Sequence, residues 1–507
     1  MGNLTTPPSV QKLQSALHAK AKAEPDYRFY LLYDKVYRAD VLEYAYRCCK
    51  ANKGAAGVDG QRFEDIEAYG VDRWLGELAN GLRNKTYEPS AVKRVWIPKP
   101  NSEKLRPLGI PTITDRVVQT AALLVLGPIF DADLAAEQYA YRSDRGAHDA
   151  VRAVHRLLNT GHTQVVDADL SGYFDSIPHA ELLNCVARRV VDRHILGLVK
   201  AWLVAAVEDV DGKGGTTRSR ANRDNKRGTP QGAPISPLLS NLYMRRFVLG
   251  WRRLGFEQQW GACIVNYADD FVICCKRGAQ DAMTAMRTIM QRLKLTVNEE
   301  KTHMCQIPQE RFDFLGYTFG RCYSRKDGHA YIGTRPSKKS IKRMVASISE
   351  VTDRRTGWLD AEEVVGKLNR KLTGWANYFC LGPVSPAYRA IDTHVQQRLR
   401  QLNQPQFLVE VLAGEARYPR ARNLVFPAQP PAQPLSNVGV DCPIRRADGT
   451  QAEIIRPARQ FAIEPSHDCL GIQPSRASIR DLADAGYHPL DALLRRTSAN
   501  VGVPVLA

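Results

Sequence analysis

The chain contains eleven cysteines and not one Cys-x-x-Cys pair. Thiolate zinc sites draw ligands from such closely spaced pairs, so a structural zinc is not expected. A disulfide framework is not expected either, because the cysteines are scattered and Cys48–Cys49 and Cys274–Cys275 lie inside apolar stretches. Buried free thiols suit a reducing compartment, and a cytoplasmic location is expected. Long apolar runs are also lacking: none reads as long enough to span a bilayer, so no membrane is expected. The start, Met1-Gly2-Asn3-Leu4-Thr5-Thr6-Pro7, shows no basic region followed by an apolar one, and no secretory signal is read there. Its superficial fit to an acylation pattern is of a kind that chance supplies. The glycine-rich loop Lys53–Gly60 is not followed by the Gly-Lys-Ser/Thr that opens the helix of a P-loop, which excludes that phosphate cradle. Acidic charge is the last deficit. Asp plus Glu number 53 against 71 for Lys plus Arg, a net +18. The excess favours a polyanionic partner, nucleic acid first and an anionic membrane surface as the rival.

What is present is a soluble-type composition, 44% hydrophobic and 24% charged, on 507 residues. That length exceeds one compact core, and two to four domains are expected. Residues 1–50 read as a helical extension, with apolar spacing that predicts one helix over residues 31–50. A helix is expected over 72–84, two strands around a basic turn between Tyr87 and Ile113, and a long apolar helix from Arg116 to Phe130. Asp211 to Arg227 is almost without apolar residues and reads as an exposed loop. Three basic helices are expected at Ser337–Thr352, Asp360–Phe379 and Pro386–Leu402. Beyond residue 404, Pro427, Pro430, Pro431 and Pro434 mark a linker-like stretch, and a short helix is expected from Ile479 to Arg495. No internal repeat is visible.

The chemistry is concentrated in three blocks. Ile264 to Cys275 places Asp269 and Asp270 between two apolar, β-branched runs, the pattern of a hairpin with both acids at its turn. Unpaired charge beside a core is costly, and that cost becomes tolerable where carboxylates bind divalent cations. A third acid stands upstream, in Val165-Val166-Asp167-Ala168-Asp169, where Asp167 and Asp169 share one face of a strand. Between the two lies Arg227-Gly228-Thr229-Pro230-Gln231-Gly232, a turn opening an apolar helix. Oxygen donors of this kind suit Mg²⁺, and two divalent ions about 3.5–4 Å apart can drive in-line nucleotidyl transfer.

In this order the blocks resemble the palm of reverse transcriptases. The resemblance narrows with Ala55-Ala56-Gly57-Val58-Asp59-Gly60, Ile97-Pro98-Lys99-Pro100, Arg106-Pro107-Leu108-Gly109-Ile110-Pro111, Asp115-Arg116-Val117-Val118-Gln119, Phe314-Leu315-Gly316-Tyr317, and the run Lys367 to Phe379. Together they are similar to group II intron reverse transcriptases, or maturases. The resemblance implies an α+β right-hand polymerase: fingers and palm over 51–335, a helical thumb (the maturase X domain) over 336–404, and an extension, 405–507, of unassigned role with nucleic-acid binding as one expectation. It implies Asp169 and Asp269 as the essential metal ligands and Asp270 as the supporting one, with two Mg²⁺ ions, or Mn²⁺ in their place. Phe174, five positions after Asp169, would be the steric gate that prefers deoxynucleotides. Gln231 would contact the incoming sugar, Lys99 and Arg106 the triphosphate, and Lys301 would protonate the pyrophosphate. Asp167 is expected to make a structural hydrogen bond and Asp175 to cap the turn after it. Trp375, Tyr378 and Phe379 are expected in the thumb core. The implied partners are an RNA template, a DNA or RNA primer, dNTPs and intron RNA.

The extension departs from the family pattern. No H-N-H endonuclease run is visible, and His467 with Cys442 and Cys469 is too sparse for a metal site. Three readings therefore stand: an intron-type reverse transcriptase aiding splicing and mobility, a mainly RNA-binding splicing maturase, and a host-recruited enzyme of phage defence or DNA repair.

Overall fold

The computed structural model describes residues 4–98, 105–210, 215–324, 327–353, 355 and 361–402. Lys99, the proline-punctuated stretch, the helix expected over Ile479–Arg495 and the whole of 405–507 lie outside the described residues.

Helices carry the N-terminal part. Pro8–Ala23 opens with proline in its first turn, where no intrahelical N–H is needed. It buries Val10, Leu17 and Ala21, and Gln14 Nε2 donates to the Leu124 carbonyl at 3.1 Å. The single helix expected over 31–50 is two, Tyr33–Val36 and Ala39–Ala51, divided by Arg38 in an extended conformation. The first of the two starts on a cap from another element: the Asp192 carboxylate accepts the N–H groups of Leu32 and Tyr33 at 2.9 and 2.8 Å. The long apolar helix runs Ile113–Asp131, its N-cap Thr112 accepting from the Asp115 N–H. Contrary to the sequence expectation, this helix is long and apolar enough to cross a membrane by length and composition, yet 78% of its apolar window is buried inside the protein.

Among the described residues, eleven strands form three sheets. In chain order they are β1 (Val92–Pro98), β2 (Leu105–Ile110), β3 (Gln164–Ala168), β4 (Val207–Val210), β5 (Thr216–Ser219) and β6 (Cys263–Tyr267). Then follow β7 (Asp270–Cys275), β8 (His303–Gln306), β9 (Phe312–Phe314), β10 (Tyr317–Tyr323) and β11 (Ala330–Pro336). The first sheet has the order β2-β1-β4-β5, the second β6-β7-β3-β8 and the third β11-β10-β9. All pairings are antiparallel except β1 with β4. The loop expected over 211–227 is partly ordered structure, since β5 and the short helix Ala221–Asn225 fall within it. Strand β5 reads Thr-Thr-Arg-Ser and buries nothing fully, so no apolar alternation announces it.

The second sheet positions the acids. Central β3 is apolar on both faces, with Val166 and Ala168 in the main core and Val165 in a second cluster, and helices Ser236–Arg253 and Ala279–Arg292 contribute to the main core. Three further helices, Lys338–Val351, Ala361–Tyr378 and Ser385–Leu402, follow β11 and share a small core of Met344, Ile348, Val364, Leu368, Leu372, Ile391 and Val395. Phe379, expected in that core, is instead buried with Phe314, Tyr317 and Phe319, and Tyr378 donates its hydroxyl to the Leu315 carbonyl at 2.9 Å. Trp375 touches both clusters. The aromatic run is therefore the joint between the helical unit and β10.

Candidate active site

The acid-bearing hairpin is as tight as a hairpin can be. Tyr267 pairs with Asp270, which leaves Ala268 and Asp269 as a two-residue turn. Ala268 has φ +59°, the left-handed region that such turns require and that a side-chain-bearing residue enters at about 1–2 kcal/mol. Asn266 restrains it. This side chain is fully buried, and its Nδ2 donates to the Ala268 carbonyl at 2.8 Å. The Asn266 backbone is fixed in turn, its N–H donating to the Glu137 carbonyl at 2.8 Å and its own carbonyl accepting from Tyr139 at 3.0 Å.

Asp169 stands just past the end of β3. Its backbone carbonyl accepts the Asn298 N–H at 2.8 Å. Its Oδ2 accepts from Asn298 Nδ2 at 3.1 Å and from Lys301 Nζ at 2.9 Å. Because β3 pairs directly with β7, Ala168 opposite Phe271, the end of β3 and the hairpin turn meet at one edge of the sheet.

The electrostatics show an excess of negative charge. Asp270 opens to solvent on one side, yet its carboxyl is pushed up to about 6, first by desolvation within the cleft and then by the charges of Asp269 and Asp169. Burial also raises Asp269, with Asp169 adding to it and Arg106 and Lys301 opposing. The hydrogen bond to Asp169 raises Lys301, with help from all three acids. Asp167 is pushed up to about 7, chiefly by burial. Among the described residues it does not make the expected hydrogen bond, and its carboxylate meets His303 Nε2 at 3.8 Å.

Among the described residues, no three His, Cys, Asp or Glu side chains already converge as a closed metal cage. Mg²⁺ does not need one, since it keeps waters and takes one or two carboxylates together with substrate phosphates. An all-oxygen donor set in which neighbouring carboxylate charge raises Asp269 and Asp270 fits a divalent cation.

The nucleotide side of the cleft is a chain of polar contacts. Arg106 Nε donates to Gln231 Oε1 at 3.1 Å, and Gln231 Nε2 donates to Asp175 Oδ2 at 3.1 Å. Asp175 therefore holds Gln231 rather than capping a turn. The Gln231 carbonyl accepts the Gly109 N–H at 2.6 Å, an approach only glycines permit. A Cβ on Gly232 (φ +106°) would lie 2.4 Å from the Gly109 carbonyl oxygen. Phe174 is 8% exposed, and its carbonyl accepts the Thr229 N–H at 2.8 Å, so the Pro-Gln-Gly loop is laid against it. The structure thus brings Asp169, Asp269, Asp270 and Lys301 to one cleft, with Arg106, Gln231 and Phe174 beside it. Asn266 and Asn298 were missed by sequence reasoning, and Asp175 was read as a cap rather than as the partner of Gln231. Asn298 carried a signal in its place three residues before Lys301; Asn266 carried none beyond adjacency to the motif.

A family model described as reverse transcriptase (RNA-dependent DNA polymerase) matches residues 97–319. One described as group II intron, maturase-specific domain matches residues 341–407. The chain is 31% identical over 370 residues to Protein YkfC of Escherichia coli, covering 65% of this chain and 93% of that protein. It is 31% identical over 224 residues to the group II intron-encoded protein LtrA of Lactococcus lactis, covering 44% of this chain and 35% of the other. With nuclear intron maturase 2, mitochondrial, of Arabidopsis thaliana it shares 28% over 152 residues, 29% of this chain and 20% of that one. The alignments thus reach only about a third of the lactococcal protein and a fifth of the plant one, although nearly all of the first relative. With the sheet-edge acids, the Pro-Gln-Gly loop and the helical unit after β11 in place, the chain belongs to the group II intron reverse transcriptase and maturase family.

Proposed function

We propose that the chain is an RNA-directed DNA polymerase that uses two divalent cations, Mg²⁺ foremost, and that its helical thumb binds intron RNA to aid splicing. The observation that carries the reading is the meeting of Asp169 with the Asp269–Asp270 turn at one sheet edge, beside the Arg106–Gln231–Asp175 chain. Asp169 and Asp269 would hold the cations, with Asp270 in support. When bound, the cations supply activation of the primer 3′-hydroxyl and neutralisation of the departing pyrophosphate.

The chain's own groups do the rest. Arg106 presents a planar fork of donors to the triphosphate, and Lys99, seven residues earlier in the sequence, would add a point charge. The Phe174 ring closes the floor under the sugar, where a 2′-hydroxyl would clash. Gln231, held between Arg106 and Asp175, fixes the sugar's position. Lys301 Nζ neutralises Asp169 in this arrangement; released from that carboxylate, it is the chain's donor of a proton to the leaving group. Basic helices after β11 suit backbone contacts to an A-form duplex or a folded RNA.

Changing Asp269 and Asp270 together to Ala should abolish extension of a primer on an RNA template with Mg²⁺. Extension by that variant at the parent rate would refute the polymerase reading. Splicing activity retained by the same variant, and lost on reversing thumb charges, would establish the RNA-binding role as separable.

A further inference from the structure

The β1–β2 ribbon has two faces, and the active site uses one of them. Strand pairing sets Arg106 opposite Ile97, while Trp96 lies opposite Pro107 and Arg94 opposite Gly109. Since successive residues of a strand point to opposite sides, Arg94 and Trp96 face away from Arg106. On that far side lies a cavity of about 570 Å³, lined by Arg94, Trp96, Asp175, Asn222, Asn225 and Arg227. Its size is that of a site for a small organic ligand, and its walls are predominantly polar.

The lining has a definite chemistry. Trp96 is 50% exposed, an unusual state for an indole, and the Arg94 guanidinium stands 5.7 Å from its ring centroid. Arg94 is also paired with Asp209 at 3.0 Å. Arg227 has no acidic partner among the described residues. Asn222 and Asn225 add amide donors and acceptors. The segment leading in carries Arg220, Arg223 and Lys226, all exposed and without an ion pair among the described residues. An aromatic face, a guanidinium for phosphate, amides for a base edge and a basic approach are the elements with which proteins hold an unpaired nucleotide. A mononucleotide would not need the basic approach; a strand would.

We propose that this cavity seats one unpaired nucleotide of an RNA strand, with its base on Trp96 and its phosphate on Arg227. The inference rests on the polymerase reading for its partner class. It also joins the two sites physically, because Asp175, one wall of the cavity, holds Gln231 of the nucleotide pocket. Two RNAs could supply the nucleotide: the single-stranded template ahead of the primer, or an unpaired base of the intron.

The test uses the full chain and three fluorescent ligands: a primer–RNA template with a one-nucleotide 5′ overhang, the same duplex with a long overhang, and the folded intron RNA. Trp96→Ala and Arg227→Ala should each weaken the long-overhang duplex or the intron RNA roughly tenfold or more. The short-overhang duplex should change far less, and Trp96→Phe should recover most of the affinity. Loss confined to the long overhang assigns the template as the source; loss confined to the intron RNA assigns the intron. Equal affinities of Trp96→Ala and parent for all three ligands would overturn the proposal. A uniform loss across all three would overturn it too, because it would mean general damage to the fingers. Primer extension by the unaltered chain is measured in parallel. Its absence would count against the polymerase reading, whereas extension by a chain insensitive to these substitutions would count against the cavity alone.

Discussion

Asn266 shows how a buried amide governs the placement of a carboxylate. Its Nδ2 is the donor for the carbonyl of a left-handed Ala268, one residue before Asp269. Asn266→Ala leaves that buried carbonyl unpaired, which costs about 1–3 kcal/mol, and frees the turn to sample other conformations. The expected outcome is a lower Tm and, at a temperature where the variant is fully folded, a lower single-turnover rate with little change in dNTP affinity. A rate equal to the parent's would show that the turn holds Asp269 without help. None of this was legible from the sequence, where Asn266 is one polar residue in an apolar run. The acids themselves were legible, because paired carboxylates between β-branched stretches demand a reason. Asp167 was legible as a site neighbour and misread as a hydrogen-bonding group, since its cross-strand neighbour His303 belongs to a segment more than a hundred residues away.

At the scale of elements, the turn between the first and second N-terminal helices depends on a remote anchor. Asp192 caps its own helix through the N–H groups of His194 and Ile195 and also binds those of Leu32 and Tyr33. Burial opposes its ionisation, but the four N–H groups outweigh it and hold the carboxyl below its usual range. A carboxylate with a depressed folded pKa adds stability that is fully present above its unfolded pKa, about 3.9. That stability is lost as pH falls through the folded value. Asp192→Ala should therefore lower unfolding stability at pH 7 by about 2–4 kcal/mol. The gap between variant and parent should narrow in denaturant titrations below about pH 4; a gap that stays constant to pH 3 would contradict the linkage. The contact explains why the first of the two helices starts where it does: apolar spacing reports which face is buried and says nothing of a cap supplied from another element. Strand β5 escaped notice for the complementary reason, that an exposed edge strand needs no apolar alternation. The three C-terminal helices were readable because each carries a periodic apolar face, and the hairpin of β6 and β7 because its strands are continuous apolar runs on either side of the acids.

For the molecule as a whole, charge and the thumb joint matter most. Lys338, Lys339, Lys342 and Arg343 are exposed on the first thumb helix and have no acidic partner among the described residues. Reversing the three lysines to Glu should weaken RNA binding, and the dependence of log affinity on log salt should become shallower by about 2–3 units. An unchanged slope would place the RNA elsewhere. The joint of Trp375, Tyr378 and Phe379 with β10 sets how that helix face meets the cleft, and sequence spacing could not separate a joint from a core because both bury aromatics. The central claim is that Asp169 and the hairpin acids form one catalytic centre. Its most direct test is single-turnover incorporation of one dNTP on an RNA template by Asp169→Asn, a change of charge at nearly constant shape. The rate should fall at least about 10²–10³-fold, as when a group that stabilises transition-state charge is removed, while the Tm stays within a few degrees of the parent's. A variant that incorporates at a rate within tenfold of the parent would contradict the account.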